Sequence, residues 1–402
     1  MLDPSAAPAE LHTILSTIDP AETIALAQTL VRIPSITGRE GLAISRFITE
    51  WFTGVGIPSG LQEVGPERAN VWARLAGEQE GPCLLLNGHL DTKPGEGMTI
   101  DPFSGEIHAG RLWGRGSCDM KGPLACLMVA VKALARSGVR LRGTLVFGAE
   151  VGEDGGGWKF QELLDGPGRC DLGICGEPTN LELHIGCRGS YPLRVRTIGR
   201  ATHTGTAYRG INAIQKMCKV IDALYALPCF HRTDPIWDRA PINAMTIQGG
   251  GKVTSSVPDE CTVQFDIRLN PDLPPEQIDA MVRSELNRLQ AEDPDLRVEV
   301  QIGRGTGDAM ANSQPARSLA PDHPFVETVR QAIEVAIGSR PRIAGFPGGC
   351  SAAIMLQRGI PAVIFGPGNL EQAHSDAEWI AVDQLHQAAR AYAAIAYRIL
   401  AA

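Results

Sequence analysis

Short apolar runs that alternate with amphipathic stretches do most to limit the folds open to this chain. Periodic apolar faces at 21–32 and 42–52, and the stripe from Leu124 to Leu134 after Pro123, predict helices. Between them, apolar runs too short for helices predict buried strands at 83–86, 144–147, 172–175 and 362–365. This alternation predicts an α/β fold, with a mostly parallel sheet flanked by helices.

The pattern changes between residues 185 and 305. There the predicted order is strand, helix, two strands, helix and strand, which is the ferredoxin-like α+β arrangement. Because α/β signals resume after about residue 315, this segment reads as an insertion, with residues 303–318 as the returning linker. A length of 402 residues allows two or three domains, and the pattern predicts two. Their expected bounds are 1–184 and 306–402 for a discontinuous α/β domain, and 185–305 for the inserted one.

The net charge and the cysteine content limit which binding partners and which cellular compartment are expected. The chain has 37 basic and 45 acidic residues, a formal net charge of -8, and no run of lysine or arginine, so we expect neither nucleic acid nor an anionic membrane as partner. No apolar stretch approaches about 18 residues, and Met1 to Asp19 lacks the pattern of a signal peptide. Ten cysteines without a C-x-x-C pair are typical of a reducing compartment, so a cytoplasmic location is expected.

Polar side chains follow each predicted strand of the α/β domain. Taken singly, each has an ordinary explanation: a loop histidine, a helix-capping carboxylate or a solvated acidic turn. Because the carboxyl ends of parallel strands lie at one edge of a sheet, these side chains are expected to meet there. Their nitrogen and oxygen donors suit zinc or a similar divalent ion. The candidates are His89 and Asp91, Asp119 before the helix at Pro123, Glu153 and Asp154, Glu177, and His374.

Two glycines in front of the predicted helix raise the question of a phosphate site. Gly114 and Gly116 match the start of a dinucleotide-binding fingerprint, but the position of its third glycine is Asp119. No Walker-type lysine pattern occurs in the chain. Both phosphate-binding interpretations are therefore rejected.

Taken together, these motifs resemble the M20 family of metallohydrolases, which includes acetylornithine deacetylase, succinyl-diaminopimelate desuccinylase and glutamate carboxypeptidase. The resemblance runs in order along nearly the whole chain, and it implies a two-metal catalytic domain with an inserted ferredoxin-like lid that usually dimerises. The matching segments are Gly88-His89-Leu90-Asp91, Gly114-Arg115-Gly116-Ser117-Cys118-Asp119, Glu153-Asp154, Gly176-Glu177-Pro178-Thr179 and Ala373-His374-Ser375.

The resemblance implies a role for each residue of the edge. His89 and Glu177 would bind one metal, Asp154 and His374 the other, and Asp119 would bridge them. The Asp91 carboxylate would orient His89. Glu153 would be the general base that moves a proton from water to the leaving nitrogen. Glu150 offers another register for this motif, but Asp154 lies 35 residues after Asp119, the spacing expected for the family. In an extended segment Glu153 and Asp154 would point in opposite directions.

The inserted segment resembles the family at three further residues. His203, in Gly199-Arg200-Ala201-Thr202-His203, would reach from a partner subunit to stabilise the oxyanion. Arg188 and Arg268 match positions that hold a substrate carboxylate, a task that suits the guanidinium fork, although either could be an exposed strand residue. The chain departs from the family pattern at two places. Asp154 replaces a glutamate, a shorter side chain that can still bind a metal, and Ser255-Ser256-Val257-Pro258 replaces an Asn-x-x-Pro pattern, which weakens the transfer of a named substrate.

These inferences predict a zinc-dependent amidohydrolase that removes an acyl group from an N-acyl amino acid or a related amide with a carboxylate. Two divalent ions are expected, zinc first, with cobalt and manganese as alternatives. A dipeptidase or carboxypeptidase of the same family is the alternative activity, and a relative that binds metal or ligand without turnover is the third. The expected partners are a small-molecule substrate and a second copy of the chain, bound through the lid.

Overall fold

A computed structural model of the chain describes residues 8–155, 158–251, 253–302 and 313–401. Within these ranges the chain divides into two compact units. Unit 1 contains Met1–Gly186, Leu319–Phe346 and Cys350–Ala402, and unit 2 contains Cys187–Ser318 and Pro347–Gly349. Most of the predicted return linker, residues 303–312, lies outside the described residues.

The strands, in chain order, are β1 (Ser59–Gly65), β2 (Arg68–Ala76), β3 (Gln79–His89), β4 (Ile107–His108), β5 (Arg111–Trp113), β6 (Arg142–Glu150), β7 (Leu172–Cys175), β8 (Leu183–Cys187), β9 (Gly189–Ile198), β10 (Ile242–Gly250), β11 (Glu260–Leu269), β12 (Arg297–Ile302), β13 (Arg317–Ser318), β14 (Ile343–Phe346), β15 (Ala362–Ile364) and β16 (Trp379–Ala381). The helices are α1 (Ala9–Ser16), α2 (Pro20–Arg32), α3 (Ala43–Gly54), α4 (Lys121–Arg136), α5 (Phe160–Asp165), α6 (Ala213–Tyr225), α7 (Pro275–Glu292), α8 (Pro324–Ile337), α9 (Ser351–Gln357) and α10 (Val382–Leu400). Short 3-10 turns occur at Thr204–Arg209, Pro228–Phe230 and Leu370–Gln372.

The central sheet of unit 1 runs in the order β1-β2-β6-β3-β7-β15-β8, and β14 also pairs with β8. Its middle strands β6, β3, β7 and β15 are parallel to one another. β2 joins β6 antiparallel on one side, with β1 antiparallel to β2, and β8 joins β15 antiparallel on the other. The four apolar runs of the sequence lie in these four parallel strands. Their carboxyl ends therefore meet at one edge, as expected for an α/β sheet. The predicted mostly parallel sheet is confirmed.

Helix α4 connects this edge to the core of unit 1. It begins at Lys121, directly after the Asp119 segment, and Pro123 lies in its first turn, where the missing N–H costs no helical hydrogen bond. Nearly every residue from Lys121 to Leu134 is buried, although the sequence predicted a single apolar face. The difference arises because α4 packs on β3 and β6 and also against α2 and α10. This packing fixes the start of α4 beside the sheet edge.

Unit 2 is built from β9, α6, β10, β11, α7 and β12, the predicted βαββαβ order. Its antiparallel sheet has the strand order β10-β11-β9-β12. Alternating side chains of β9 and β11 are buried with the apolar faces of α6 and α7, as in Val195, Phe265, Met217 and Ile278. The ferredoxin-like α+β arrangement predicted from the sequence is confirmed, whereas a lid and dimerisation role remains a prediction.

The loop before α4 explains the two glycines that resembled a phosphate motif. Gly114 and Gly116 have φ angles of +140° and +82°, a region that favours glycine. A Cβ atom on Gly116 would lie 2.6 Å from Thr92 Cγ2, and one on Gly114 would lie 2.5 Å from Val31 Cγ1. These glycines serve a tightly packed turn that leads the chain into Asp119.

Candidate metal centre

The parallel strands deliver the predicted side chains to one edge of the sheet of unit 1. His89 is the last residue of β3, and it pairs in register with Glu150 at the end of β6. Glu177 follows β7 by two residues, and His374 follows β15 after a short turn. The sheet thereby brings together five of the predicted residues, all within one unit: His89, Asp119, Asp154, Glu177 and His374.

Asp119 lies between the two histidines. Its Oδ1 is 2.9 Å from His89 Nε2, and its Oδ2 is 3.2 Å from His374 Nε2. Burial opposes ionisation of Asp119, but the hydrogen bonds to His374 and His89 prevail and lower its pKa. The hydrogen bonds to Asp119 and Asp154 raise the pKa of His374 to about 9. Each oxygen of this carboxylate thus faces a different histidine, the arrangement expected of a ligand that bridges two cations.

Asp154 provides an orphaned buried oxygen that fits a cation. Its Oδ1 lies 2.9 Å from His374 Nε2 and 3.3 Å from Lys93 Nζ. Its Oδ2 is buried and has no hydrogen-bond partner among the described residues. An ionisable group is rarely buried without a partner, because desolvation of the free oxygen is costly. The contact with Lys93 and the unpartnered Oδ2 indicate that a cation would stabilise the buried Asp154 carboxylate.

Two more carboxylates surround His89 Nε2. Glu153 Oε2 and Glu177 Oε1 each lie 4.0 Å from this nitrogen. Desolvation by burial raises the pKa of Glu153 to about 8 and that of Glu177 well above its usual range, and the charge of Asp119 adds to both shifts. These carboxylates repel one another, so divalent cations would relieve the repulsion.

Of the donor groups at this edge, two that share Asp119 fit a pair of metal ions. His89, Asp119 and Glu177 offer one set, and Asp119, Asp154 and His374 the other, with the atoms of each set within 4.8 Å of one another. Both sets contain imidazole nitrogen and carboxylate oxygen, donors that suit zinc, cobalt or manganese. Asp119 belongs to both sets, so one carboxylate joins the two positions.

The carboxylate of Asp91 has a different task from the one predicted. Instead, the backbone carbonyl of Asp91 lies 2.8 Å from His89 Nδ1, whereas the carboxylate Oδ1 is 3.7 Å away. Because a carbonyl only accepts, Nδ1 carries the proton and Nε2 is left to bind a metal. The Asp91 carboxylate accepts hydrogen bonds from the N–H groups of Gly152, Glu153 and Asp154 and from the Thr37 hydroxyl. It therefore holds the acidic turn that follows β6.

That turn corrects the geometry expected for Glu153 and Asp154. The sequence interpretation placed them in an extended segment, but β6 ends at Glu150 and both residues lie in a turn. The side chains of Glu153 and Asp154 are therefore placed by the turn and by the backbone hydrogen bonds to Asp91, and not by the alternation of an extended strand. Glu150 lies apart from the two donor sets, since its carboxylate accepts from Asn87 Nδ2 at 2.6 Å and from the Ser351 hydroxyl. The register with Glu153 and Asp154 thus agrees with the geometry.

Sequence reasoning missed Glu378, which is fully buried behind Asp119. Its Oε1 accepts hydrogen bonds from the backbone N–H groups of Cys118 and Asp119, both at 3.0 Å. Its Oε2 pairs with Arg115 Nη1 at 2.9 Å. Glu378 directly precedes β16, which pairs with β5, so this small sheet brings it to the loop that carries Asp119. The only sequence signal was its position four residues after His374.

The remaining predicted residues lie in unit 2. His203 is exposed, and its Nδ1 accepts a hydrogen bond from the backbone N–H of Gly205 at 3.0 Å. Arg188 Nη2 donates to the Trp237 carbonyl, while its buried Nε has no partner among the described residues. Arg268 pairs in register with Ser190, and its Nε donates to Asp266 at 2.9 Å. Burial and the nearby charge of Arg268 lower the pKa of Arg188.

None of the helices in the described ranges combines the length and the apolar character that crossing a bilayer requires.

Comparison with known proteins identifies a matching family and relatives in sequence. The family model described as peptidase family M20/M25/M40 matches residues 85–398. The chain is 33% identical over 364 residues to a succinyl-diaminopimelate desuccinylase of Methylorubrum extorquens, covering 85% of this chain and 90% of the relative. It is 28% identical over 392 residues to an N-formyl-4-amino-5-aminomethyl-2-methylpyrimidine deformylase of Bacillus subtilis, covering 90% and 91%.

Solved structures with the same fold have lower sequence identity. A tripeptidase of Staphylococcus aureus superposes with a TM-score of 0.73 at 21% identity, covering 94% of this chain and 98% of the other. A dinuclear metal-binding peptidase of Bacillus subtilis superposes with a TM-score of 0.69 at 16% identity, covering 94% and 97%. At these identities the comparison concerns the fold, and it agrees with the architecture described above.

Proposed function

The chain belongs to peptidase family M20/M25/M40, and from this membership we propose that it hydrolyses the amide bond of an N-acyl amino acid or a related carboxylate-bearing amide. Membership makes it a metal-dependent amidohydrolase or peptidase. The observation that carries the proposal is the position of Asp119, whose two oxygens face His89 and His374 at 2.9 and 3.2 Å. Such a bridging carboxylate suits a pair of divalent ions, and we propose zinc, with cobalt or manganese as alternatives.

In this proposal five side chains are divided between two metal positions. His89 and Glu177 would hold one ion, Asp154 and His374 the other, and Asp119 both. When bound, the two ions would supply Lewis acidity to the amide carbonyl and to the attacking water. The side chain of Asp154, which is shorter than the glutamate of the family pattern, is supported on three sides. Asp91 accepts from its N–H, and Lys93 and His374 lie within 3.3 Å of its Oδ1.

Glu153 is the proposed general base. Its carboxylate stands 4.0 Å from His89 Nε2, on the same edge as the donor sets but in neither of them. In the metal-free chain, burial and neighbouring carboxylates raise its pKa to about 8, a direction that favours uptake of a proton. Glu153 would take a proton from the attacking water and deliver it to the nitrogen of the leaving group, which needs protonation to depart as an amine.

Unit 2 is proposed to complete the site from a second copy of the chain. β10 is an edge strand of its sheet, and Met245 and Ile247 on this strand are 59% and 56% exposed. An edge strand with exposed apolar side chains favours pairing with another chain. In the resulting homodimer, His203 of one copy would donate to the oxyanion that forms in the other. The lid role of unit 2 belongs to the same proposal.

Arg188 and Arg268 are the proposed contacts to the substrate carboxylate. The buried Nε of Arg188 has no partner among the described residues, and the charge of Arg268 lies close enough to lower the pKa of Arg188. Two neighbouring guanidinium groups with an unused donor would bind a carboxylate in a bidentate manner. The desuccinylase among the relatives supports an acyl group or an amine that carries a carboxylate.

Two other activities remain as alternatives. A dipeptidase or carboxypeptidase would use the same ligands and base on a peptide bond, and the tripeptidase with the same fold favours this candidate. A binding protein without turnover would have no use for Glu153 beside the donor sets. We also propose a cytoplasmic location, from ten cysteines without a C-x-x-C pair.

A substrate panel separates these candidates. Purified protein loaded with zinc, cobalt or manganese would be assayed on N-succinyl, N-acetyl and N-formyl amino acids, on dipeptides and on tripeptides. Turnover of the acyl amino acids, lost on chelation and restored by metal, is the expected result. Preferential cleavage of peptides would establish the alternative activity. If no substrate turns over while Glu153→Ala binds the same ligands as the wild type, the catalytic proposal is wrong.

A further inference from the structure

Two buried cysteines adjoin the metal centre, and the proposed reaction uses neither. Cys175 and Cys350 are 1% and 0% exposed. Their sulfur atoms and a carboxylate oxygen of Glu177 all lie within 4.8 Å of one another. Glu177 is itself buried, with 4% exposure, so these three donors form a compact group inside unit 1.

Two distant parts of the chain supply the three donors. Cys175 is the last residue of β7, held between Asn87 of β3 and Ile364 of β15 in the sheet register. Glu177 continues the same strand end. Cys350 comes from a distant part of the chain and occupies the position directly before α9. Because Cys175 and Glu177 lie at the end of β7 and Cys350 lies before α9, two separate parts of the fold supply the group.

The donor chemistry differs from that of the neighbouring metal centre. The two donor sets around Asp119 offer imidazole nitrogen and carboxylate oxygen, whereas this group offers two sulfurs and one oxygen. Sulfur ligands select soft or borderline cations such as Cd²⁺, Zn²⁺ and Cu⁺ over Mg²⁺ or Mn²⁺. A zinc–sulfur bond is about 2.3 Å long, so sulfur atoms that share one ion lie roughly 3.5–4 Å apart. The two sulfur atoms lie within 4.8 Å of each other, so small side-chain rotations would bring them to this distance.

We propose that Cys175, Cys350 and Glu177 form a third cation site, selective for thiophilic divalent ions, which shares Glu177 with the catalytic metal pair. Occupation of this site draws the Glu177 carboxylate toward the two sulfurs and away from the position beside His89. This movement weakens the binding of the ion that Glu177 helps to hold in the catalytic pair. Excess thiophilic metal therefore inhibits the enzyme at a site of its own, a consequence that rests on the proposed function.

The test uses the zinc-loaded enzyme and cadmium chloride as the probe. All proteins carry Cys218→Ser, because this cysteine is exposed and would add a background thiol. Cd²⁺ is titrated while bound metal is counted after desalting, and the ultraviolet charge-transfer band of a cadmium–thiolate bond is recorded. We expect one metal equivalent beyond the catalytic pair, with the thiolate band. Cd²⁺ that merely replaces a catalytic ion gives no such band, because the catalytic ligands contain no sulfur.

Cys175→Ala and Cys350→Ala are the test variants, and Cys126→Ala is the matched control. Cys126 is also fully buried, but its sulfur contacts the carbonyls of Gly122 and Leu385 within the helical layer. Each test variant should lose the band and require at least about tenfold more Cd²⁺ for half-inhibition, a loss typical even of an outer ligand. The control should match the parent, and Mg²⁺ should inhibit none of them.

Two outcomes would overturn the proposal. One is a parent enzyme that binds Cd²⁺ without a thiolate band. The other is a band that persists in both alanine variants when circular dichroism shows that they are folded. The metal count and the band are read without substrate, so they stand even if the substrate panel finds no turnover. Conversely, an active enzyme without the third equivalent would leave the proposed function intact and refute the thiol site alone.

Discussion

The carboxylate of Asp91 accepts a hydrogen bond from the backbone N–H of Glu153 at 3.1 Å. The same carboxylate also accepts from the N–H groups of Gly152 and Asp154. The proposed base Glu153 and the proposed metal ligand Asp154 are therefore both held by a single side chain that comes from a different strand end. This relationship makes Asp91 the residue on which the alignment of Glu153 depends.

Asp91→Asn should misplace the turn while leaving the chain folded. An asparagine offers one acceptor oxygen, and its NH₂ group would face an N–H donor or the Thr37 hydroxyl that now donates to Asp91. We expect kcat to fall about 100-fold, the cost of a misplacement of about 1 Å, with little change in KM. Thr37→Val is the control, since it removes one donor and keeps all three backbone hydrogen bonds. Wild-type kcat in Asp91→Asn would contradict this role.

Glu153→Gln should abolish turnover and keep the metals. Glutamine has the size of glutamate but cannot carry a proton from water to the leaving nitrogen, so kcat should fall by at least about 100-fold. The matched control is Glu150→Gln. Burial raises the pKa of Glu150 to about 7, so its neutral form is already populated and the amide mimics it. Metal content by atomic emission and steady-state kinetics check both variants; metal loss in Glu153→Gln would mean that the base and a ligand were exchanged in our assignment.

Glu378→Gln should weaken metal binding although it changes none of the proposed metal ligands. Its amide would turn a donor toward the Arg115 guanidinium or toward the N–H groups of Cys118 and Asp119, and an unpaired buried charge is strongly destabilising. We expect metal affinity to fall about 10- to 100-fold by competition with a chelator. Asp376→Asn, an exposed neighbour, is the control and should bind metal as the wild type does. Equal affinities in all three proteins would remove Glu378 from the support of Asp119.

His203→Ala should form a dimer with a much reduced kcat, because an oxyanion donor typically contributes about 100- to 1000-fold. Mixing it with Glu153→Gln, after dissociation and reassembly, tests whether the histidine serves the partner. At equal amounts, about half of the dimers are hybrids with one complete site each, so about a quarter of the wild-type activity should return. If His203 acts within its own chain, the mixture stays as inactive as its components.

His184 predicts how stability depends on pH, apart from the metal centre. It is buried against Phe346, and its Nε2 lies 3.6 Å from Glu182, beyond hydrogen-bond range. Desolvation lowers its pKa from 6.5 to about 4. The unfolded chain therefore binds a proton first, so stability is fully present above pH 6.5 and falls between pH 6.5 and 4, by up to about 3 kcal/mol. Urea denaturation should show a smaller fall in His184→Gln; parallel curves for the two proteins would contradict it.

The sequence predicted the fold and the meeting of the donor side chains at one sheet edge because both depend on local patterns, whereas the division into two donor sets came from the family resemblance. Apolar runs mark the parallel strands, and parallel strands end at one edge, so His89, Glu177 and His374 had to approach one another. Family motifs supplied the register that distinguishes Glu153 from Glu150.

The supporting residues could not be predicted in this way. Glu378 acts on backbone N–H groups 259 and 260 positions away, and nothing in its own neighbourhood reveals that contact. The choice between the carbonyl and the carboxylate of Asp91 as the partner of His89 likewise depends on backbone geometry, which residue types do not specify.

The long interval between the two halves of unit 1 has a consequence for the order of folding. His374 meets Asp154 across 220 positions of chain, whereas the four strands of unit 2 lie together between Gly189 and Ile302. Loops that long close slowly, and during synthesis the chain emerges from its amino end. The inserted unit can complete its sheet while the metal centre still lacks β15, His374 and Glu378. At that stage Asp119, Asp154 and Glu177 have only His89 beside them, and His374 joins when residues 362–378 have been synthesised.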